Sequence, residues 1–301
     1  MKSRGLFNKY FDILYNKIVL AHCLDWMSDK AFLRLSYRVH MGKKLSLDNP
    51  KALTEKIQWI KLYDRNPLYI RLADKYDVKI WARERLGSDI SIPTLGVWNR
   101  FEDIDFSSLP NSFVLKTTHD SGGIKIVRNK SDINMVSMKA WFNQRLQKNM
   151  YYWGREWAYK DIVPKIIAEP LMEDTRYGEL RDYKFFCFNG EPKIMFVASD
   201  RQKAEETKFD FFDMDYNHLE LFNGHPNAKE IPDKPMSFET MKHYAELLAK
   251  DFPFVRVDFY EITDKPFLGE MTFYHNCGFV GFQPEGWDVR MGEWLILPKK
   301  S

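Results

Sequence analysis

A strand lysine followed by a glycine-rich turn, and two carboxylates on neighbouring strands, carry the chemistry open to this sequence. Residues 113–127 read FVLKTTHDSGGIKIV: two apolar runs, each with a lysine, joined by a polar turn that ends in Gly122-Gly123. One reading is a β-hairpin whose paired glycines supply positive φ at a solvated turn. The other is a phosphate cradle, in which backbone N–H groups surround an anion and Lys116 is its counter-charge. Both stay open on this stretch alone.

Farther along, FVRVDFYEI and PFLGEMTF flank a turn at Thr263-Asp264-Lys265. Alternation puts Val255, Val257 and Phe259 on one face and Arg256, Asp258 and Tyr260 on the other. Leu268, Glu270 and Thr272 share a face of the second strand. With the turn centred on Asp264, Asp258 and Glu270 sit opposite each other. Opposed like charges cost stability, so neutralising either is expected to raise it by about 0.2–1 kcal/mol unless something positive lies between them. Hard oxygen donors so placed, with Arg256 beside them, suit Mg²⁺ bound jointly with nucleotide phosphates. The alternative is a merely acidic hairpin whose carboxylates reach solvent or pair with Arg256.

Other motifs read more plainly. Asp213-Met214-Asp215 has the DxD spacing that many nucleotide-sugar enzymes use for metal, yet DFFDMDYN also reads as a strand ending in an acidic turn. A glycosyltransferase acting through Asp213 and Asp215 is therefore the alternative activity. His275 and Cys277 are spaced i, i+2 and are read as packing or substrate-wall residues, not as a thiol–imidazole pair. Tyr151, Tyr152, Trp153, Trp157 and Tyr159 are read as core and domain-edge packing in preference to a sugar-stacking platform.

These residues need elements to hold them. Residues 6–40 have helical spacing, a second helix starts near Asp48-Asn49-Pro50 and runs to Tyr63, and a third runs from Pro67 to a C′ glycine at Gly87. The texture then becomes short β-rich runs: IPTLGVW, SFVLK, IKIV, KIIAE, DYKFFCF and PKIMFVAS. Among them lies a helical segment, 137–149. Asn189-Gly190 is the turn of the clearest hairpin. Residues 209–222 read as further strand, and SFETMKHYAELLAKDF as an amphipathic helix that Ser237 can cap. Helices first, then antiparallel hairpins, indicate an α+β fold, and no GxGxxG follows a first strand.

Composition bounds the rest. With 45% apolar and 16% aromatic residues in 301, the chain can bury a substantial core. No apolar run is long enough to span a bilayer, and the start lacks the pattern of a secretory signal. Cys23, Cys187 and Cys277 are widely spaced and odd in number, which excludes a disulfide framework and a cysteine zinc site and fits a reducing cytoplasm. Residues 1–61 hold 12 Lys/Arg against 5 Asp/Glu, a balance of +7, while the rest of the chain carries −4. Scattered basic residues without a recognition motif do not indicate nucleic acid. In residues 6–20, Leu6, Phe7, Tyr10, Phe11, Ile13, Leu14 and Ile18 recur at helical spacing among lysines. A helix docked on the protein's own core is the reading preferred, and shallow contact with an anionic membrane the other.

Taken together, NPKALTEKIQWIKLYDRNPLY, LADKY, FVLKTTHDSGG, YYWGREWAYKDIVPKIIAEPLM, DYKFFCFNGEPK, FPFVRVDFYE and GEMTFY resemble the ATP-grasp superfamily from about Asn49 nearly to Pro298. They are most similar to the small group related to the teichuronopeptide biosynthesis protein, found among bacterial surface-polysaccharide genes. The resemblance implies an ATP-grasp fold with a helical N-terminal segment (1–66), a subdomain with a mobile phosphate loop (67–160) and a subdomain with the adenine hinge and metal carboxylates (161–301). It makes Lys75 and Lys116 the phosphate-facing lysines and His119, Asp120, Ser121, Gly122 and Gly123 the loop over the triphosphate. Glu169 and Leu171 belong to the adenine hinge, Lys184 lies beneath the nucleotide, Asp258 and Glu270 hold Mg²⁺, and Arg256 sits near the transferred phosphate. Many ATP-grasp ligases have asparagine two residues beyond the second carboxylate, where this chain has Thr272. The activity implied is ATP-dependent joining of a carboxylate to an amine, with a sugar acid such as a uronic acid as one partner. A relative that binds ATP without forming an amide fits less well, because both lysines and both carboxylates are present.

Overall fold

The computed structural model describes residues 6–173, 176, 179–200 and 206–300, and of residues 6–10 the backbone only. The stretch 6–40 is two helices, α1 (Leu6–Leu20) and α2 (Asp29–Met41), because Ser28 caps the second one through a bond from the Ala31 N–H. Gly42 ends it in the left-handed conformation, at φ 69°. Helix α3 is Leu53–Tyr63. The expected single helix over 67–87 is broken into α4 (Leu68–Ala73) and α5 (Asp77–Leu86). Asp74 makes the break: its Oδ1 accepts the N–H groups of Tyr76 (2.8 Å) and Asp77 (2.9 Å). An aspartate used this way starts a new helix, and it leaves Lys75 at the corner. Gly87 closes α5 with φ 70°, as expected.

Then follow β1 (Gly96–Trp98), β2 (Phe113–Thr117), β3 (Ile124–Val127), α6 (Met135–Leu146), α7 (Tyr151–Gly154) and β4 (Ile166–Pro170). The second half has β5 (Asp182–Phe188), β6 (Glu191–Ser199), β7 (Lys208–Asp213), β8 (His218–Leu219), α8 (Phe238–Ala249), β9 (Phe254–Ile262), β10 (Lys265–Thr272) and α9 (Gly286–Trp294). The strand expected over 209–222 is thus two, turning at residues 214–217. Ser237 does not cap α8. Its hydroxyl donates instead to Glu261 Oε2 at 2.6 Å, which also accepts the Ser237 N–H.

Two antiparallel sheets result, a four-stranded one ordered β1-β4-β2-β3 and a six-stranded one ordered β10-β9-β5-β6-β7-β8. Because β4 pairs with both β1 and β2, the change of sheet falls after Pro170 and not at residue 160. The small sheet has its own core, built from Phe101, Phe113, Leu115, Phe142, Ile166 and Ala168 among others. The large sheet shares a second core with the N-terminal helices, from Tyr15 through Leu72 to Phe259 and Leu295. The described part of residues 1–66 packs into the body that carries the large sheet. Between the two cores lies a cleft.

The β9–β10 hairpin fixes the two carboxylates by a route the alternation pattern does not contain. Its turn has two residues, Thr263 and Asp264, with φ 51° and 60°, so Ile262 pairs with Lys265. Carried on evenly, that register would set Gly269 opposite Asp258. A bulge at Gly269 shifts it by one, and Glu270 faces Asp258. Leu268, on the near side of the bulge, pairs with Phe259 and is buried, so it lies on the core face and not with Glu270 as expected. Glycine suits the bulge because a Cβ there would stand 3.0 Å from the Tyr260 ring.

Candidate active site

Three strands put the charged residues in one row. Lys184 on β5 pairs in register with Asp258 on β9, which pairs with Glu270 on β10. The next rung along is Phe186, Arg256 and Thr272. Spacing of two keeps both rungs on the cleft face, while Tyr183, Phe185, Val257 and Met271 are buried on the other face.

The row is a lattice of ion pairs. Arg256 grips Asp258 in a fork, Nε to Oδ1 and Nη2 to Oδ2, both at 2.7 Å. Its Nη2 also reaches Glu270 Oε1 at 3.1 Å and Thr272 Oγ1 at 3.0 Å. Lys184 bonds Asp258 Oδ2 and stands 3.1 Å from Asp182 Oδ1. Something positive therefore does lie between the two carboxylates. Burial pushes the Asp258 carboxyl up against the pull of Arg256 and Lys184. Burial would raise Glu270 too, yet Lys184, Arg256 and Lys75 together hold it well below the usual carboxylate range.

Behind Arg256 stands His275, whose Nδ1 accepts from Nη1 at 2.7 Å. Its Nε2–H then donates to Asn223 Oδ1 at 2.8 Å. Burial, then Arg256 and Lys184, push His275 well below 6.5, so the ring is neutral. The three residues that follow are left-handed in succession: Asn276, Cys277 and Gly278, with φ 47°, 55° and 61°. Helix α3 holds this costly turn. Gln58 Nε2 donates to the carbonyls of Cys277 (2.9 Å) and Gly278 (3.0 Å), and the buried Lys61 donates to Cys277 O (2.7 Å). His275 is thus a support for Arg256, and Cys277 packs against Gly154.

That support predicts a pH effect. An unfolded His275 takes up a proton below about 6.5 while the folded one does not, so its contribution to stability is present above that pH and lost as pH falls. Asp258, with its raised carboxyl, works in the opposite sense at lower pH, so the difference between proteins isolates the histidine. The stability margin of wild type over His275→Gln is expected to shrink between pH 7 and 5 by up to about 1.4 kcal/mol per pH unit. Urea denaturation of both at pH 7, 6 and 5 checks this; a constant margin refutes it.

Across the cleft, β2 and β3 form the hairpin, Lys116 pairs with Ile124, and the loop 117–123 is its tip. The hairpin and the cradle are thus compatible. Gly122 has φ 73°, and Gly123 leaves room for Thr117 Oγ1 and Asp120 Oδ1, which a Cβ would meet at 1.7 and 2.2 Å. The His119 and Asp120 side chains are turned inward, 3% and 1% exposed. Asp120 accepts from Thr117 Oγ1 and pairs with Arg145 Nε at 2.6 Å, while His119 Nε2 meets Arg145 O at 3.2 Å. The loop therefore offers an anion its exposed residues Ser121 and Gly122 and its backbone. Lys75 lies against it, with its N–H on Thr118 O (3.0 Å) and its Nζ on Asp120 O.

Lys116 pairs with Glu169 Oε2 at 2.5 Å, and Lys79, not singled out from the sequence, pairs with Oε1 of the same carboxylate. Burial opposes the charge on Glu169, but the two lysines hold its carboxyl below the usual range. Its side chain is therefore spent on lysines, and Leu171 and the hinge backbone remain for a ligand edge. A cleft of about 200 Å³ opens here, with Val114, Ile124 and Ile126 on one wall, Leu180 and Tyr260 on the other, and Leu171 at the hinge. Its largely apolar walls, with Tyr260 among them, suit an apolar or aromatic group.

The residues fit Mg²⁺ in a particular way. Among the described residues no group of three or more His, Cys, Asp or Glu is placed to hold a metal, so Asp258 and Glu270 would be a two-carboxylate site completed by other oxygens. Asp182, Asp258 and Glu270 carry three negative charges against two positive ones on Lys184 and Arg256. A divalent ion alone would leave this row net positive; one arriving with phosphates would not. The rival acidic pair has another use. Asp213 accepts the N–H groups of Asp215 (3.0 Å) and Asn217 (2.8 Å) and closes the β7–β8 turn.

The missed residues, Lys79, Arg145, Asn223, Gln58 and Lys61, act through tertiary contacts and carry no local signal.

Comparison with known proteins bears on this site. The family described as TupA-like ATPgrasp matches residues 55–296. No curated protein matches the sequence. Similar solved structures include the Bacillus anthracis D-alanine–D-alanine ligase complexed with ATP, at 15% identity, 67% of this chain, 53% of that one and a TM-score of 0.39. The Helicobacter pylori D-alanine–D-alanine ligase matches at 15% identity, 75% and 61% coverage and a TM-score of 0.37. An L-amino acid ligase from Bacillus licheniformis matches at 8% identity, 91% and 64% coverage and a TM-score of 0.47. The chain spans about half to two thirds of the length of these proteins.

Proposed function

Since this chain belongs to the TupA-like ATP-grasp family, we propose that it is an ATP-dependent carboxylate–amine ligase that works through an acylphosphate. The observation that carries the reading is the charged row Lys184–Asp258–Glu270 with Arg256, facing Lys75, Lys116 and the 117–123 loop across an apolar cleft. Ile124, Ile126 and Tyr260, with the Glu169–Leu171 hinge, would hold the adenine. Lys75, Lys116 and the loop backbone meet the phosphates. Asp258 and Glu270 would hold Mg²⁺, and the ion would supply charge neutralisation to the phosphates.

In the first step a substrate carboxylate oxygen attacks the γ-phosphorus and ADP leaves. Arg256, fixed by Asp258, Thr272 and His275, supplies positive charge that needs no reorganisation as transfer proceeds. An amine then attacks the acyl carbon, the C–O bond to phosphate breaks, and the amine loses a proton as the amide forms. The loop keeps water from the acylphosphate. The carboxylate partner is a uronic or similar sugar acid and the amine an amino acid or simple amine, acting in the cytoplasm in the synthesis of capsule or lipopolysaccharide. Weak peripheral contact of the basic N-terminal helix with the inner face of the membrane belongs to the same reading.

The test uses hydroxylamine. Incubated with ATP, Mg²⁺ and glucuronate or galacturonate, the protein is expected to release ADP and phosphate and to convert the sugar acid to a hydroxamate. ADP release that needs no carboxylate, or phosphate release without hydroxamate, overturns the ligase chemistry.

A further inference from the structure

Among the described side chains of helix α1, most of the apolar ones turn away from the protein. Tyr15 and Val19, one turn apart, are buried and face the core. Ile13, Leu14, Ile18 and Leu20 are exposed by 46%, 56%, 36% and 59%. At about 100° per residue Ile13, Leu14 and Leu20 lie on the half of the helix opposite Tyr15 and Val19, with Lys17 the charged residue among them and Ile18 at the flank beside Leu14. Trp26, in the turn that follows, is 81% exposed. A helix bound only to its own core shows a polar outer face, and this one does not. The preferred expectation of a helix docked on the core thus accounts for one side of α1.

We propose that the outer face of α1, with Lys17 and Trp26, docks on an anionic phospholipid bilayer, the helix lying in the plane of the interface. This rests on the peripheral contact in the proposed function and is independent of the ligase chemistry. Charge selects the occupant. Residues 1–61 carry +7 and the rest of the chain −4, so the apolar face belongs to the basic segment of the sequence. On α2, which packs against α1, Lys30, Arg34 and Arg38 are exposed and form no ion pair with another described residue. A second copy would bring a like-charged face against this one, whereas acidic headgroups complement it. Length selects the mode. Fifteen residues rise about 22 Å, short of the roughly 30 Å hydrocarbon core, and no described helix is long and apolar enough to cross a membrane. Apolar side chains with lysine and tryptophan at headgroup level describe a helix that lies on the surface.

Co-sedimentation with vesicles tests the proposal. The full chain is expected to bind vesicles of equal phosphatidylglycerol and phosphatidylcholine at least tenfold better than phosphatidylcholine alone, and less at 0.5 M salt. The variant Leu14→Glu/Ile18→Glu is expected to lose at least tenfold in vesicle binding while keeping its circular dichroism and its hydroxamate yield. Absence of binding to the anionic vesicles overturns the proposal, and so does binding that the variant leaves unchanged. A dimer in sedimentation velocity that the variant abolishes, without vesicle binding, assigns the face to a second copy and also overturns it. The hydroxamate assay reports separately on the ligase reading.

Discussion

Asp258→Asn is expected to lower ATP-dependent hydroxamate formation by at least about a hundredfold and to destabilise the protein as well. Removing one oxyanion or phosphate-stabilising group typically costs a factor of that order, because positioning and electrostatics supply nearly all of phosphoryl-transfer catalysis. The stability change reverses the sign that opposed carboxylates alone imply. Asp258 is 1% exposed and answers both Arg256 and Lys184, which are themselves buried. Taking away one partner of a buried ion pair leaves uncompensated charge, at a cost of about 3–5 kcal/mol. Glu270→Gln is expected to lose activity to a similar degree with a stability change within about 0.5 kcal/mol. Its side chain is 39% exposed, and Arg256, which pairs with it at 3.1 Å, keeps Asp258. ATP with Mg²⁺ at a hundredfold excess over Kd should stabilise the wild type by about 2.7 kcal/mol and both variants far less. Asp213→Asn, which keeps the Oδ1 that closes the β7–β8 turn, should leave turnover unchanged. Urea denaturation with and without ATP, beside the hydroxamate assay, reads the whole pattern. Wild-type turnover in the 258 variant refutes the site.

How far the sequence could be read follows from which forces are local. The Asn189-Gly190 turn, the C′ glycine at position 87 and the β2–β3 hairpin were legible because turn chemistry is set by a few adjacent residues. Asp258 and Glu270 were paired correctly, but by an argument that centred the turn on Asp264 and carried the register on unbroken. The molecule reaches the same pair with a two-residue turn and a compensating bulge at Gly269, and the error surfaces at Leu268, which lies on the core face. A bulge depends on what the neighbouring strand brings up, here the Tyr260 ring, and alternation cannot show it. The break at Asp74 was hidden because an aspartate inside an apolar-periodic run reads as a solvated helix residue until its side chain is seen to cap. His119 and Asp120 are in the expected loop, yet which way their side chains turn was settled by Arg145, 25 residues away from Asp120. Family likeness placed Lys75, Lys184 and Glu169; only the fold showed that Glu169 is held by two lysines.

The loop gives the second large effect, and it separates packing from conformation at two adjacent glycines. Gly123→Ala is expected to destabilise the protein by about 1–3 kcal/mol, since overpacking forces a shift where no side chain can give way cheaply. The added Cβ would stand 1.7 Å from Thr117 Oγ1 and 2.2 Å from Asp120 Oδ1, and those two atoms are bonded to each other beneath the loop. Moving the loop draws the Asp120 carbonyl from Lys75 and its carboxylate from Arg145, so the KM for ATP should rise at least tenfold. Thr117→Ala removes the nearest clashing atom and frees Asp120 to rotate. In the double variant the two costs should therefore sum to clearly more than the measured one, with a coupling of about 1 kcal/mol or more, as for residues in contact. Gly122→Ala is the contrast. Its Cβ would meet nothing closer than Arg145 at 3.7 Å, but its φ of 73° strains any L side chain, so it should cost about 1–2 kcal/mol whatever stands at position 117. Additive costs for Gly123→Ala and Thr117→Ala would show that the loop tip yields freely, and that Thr117 and Asp120 do not hold it over the phosphate site.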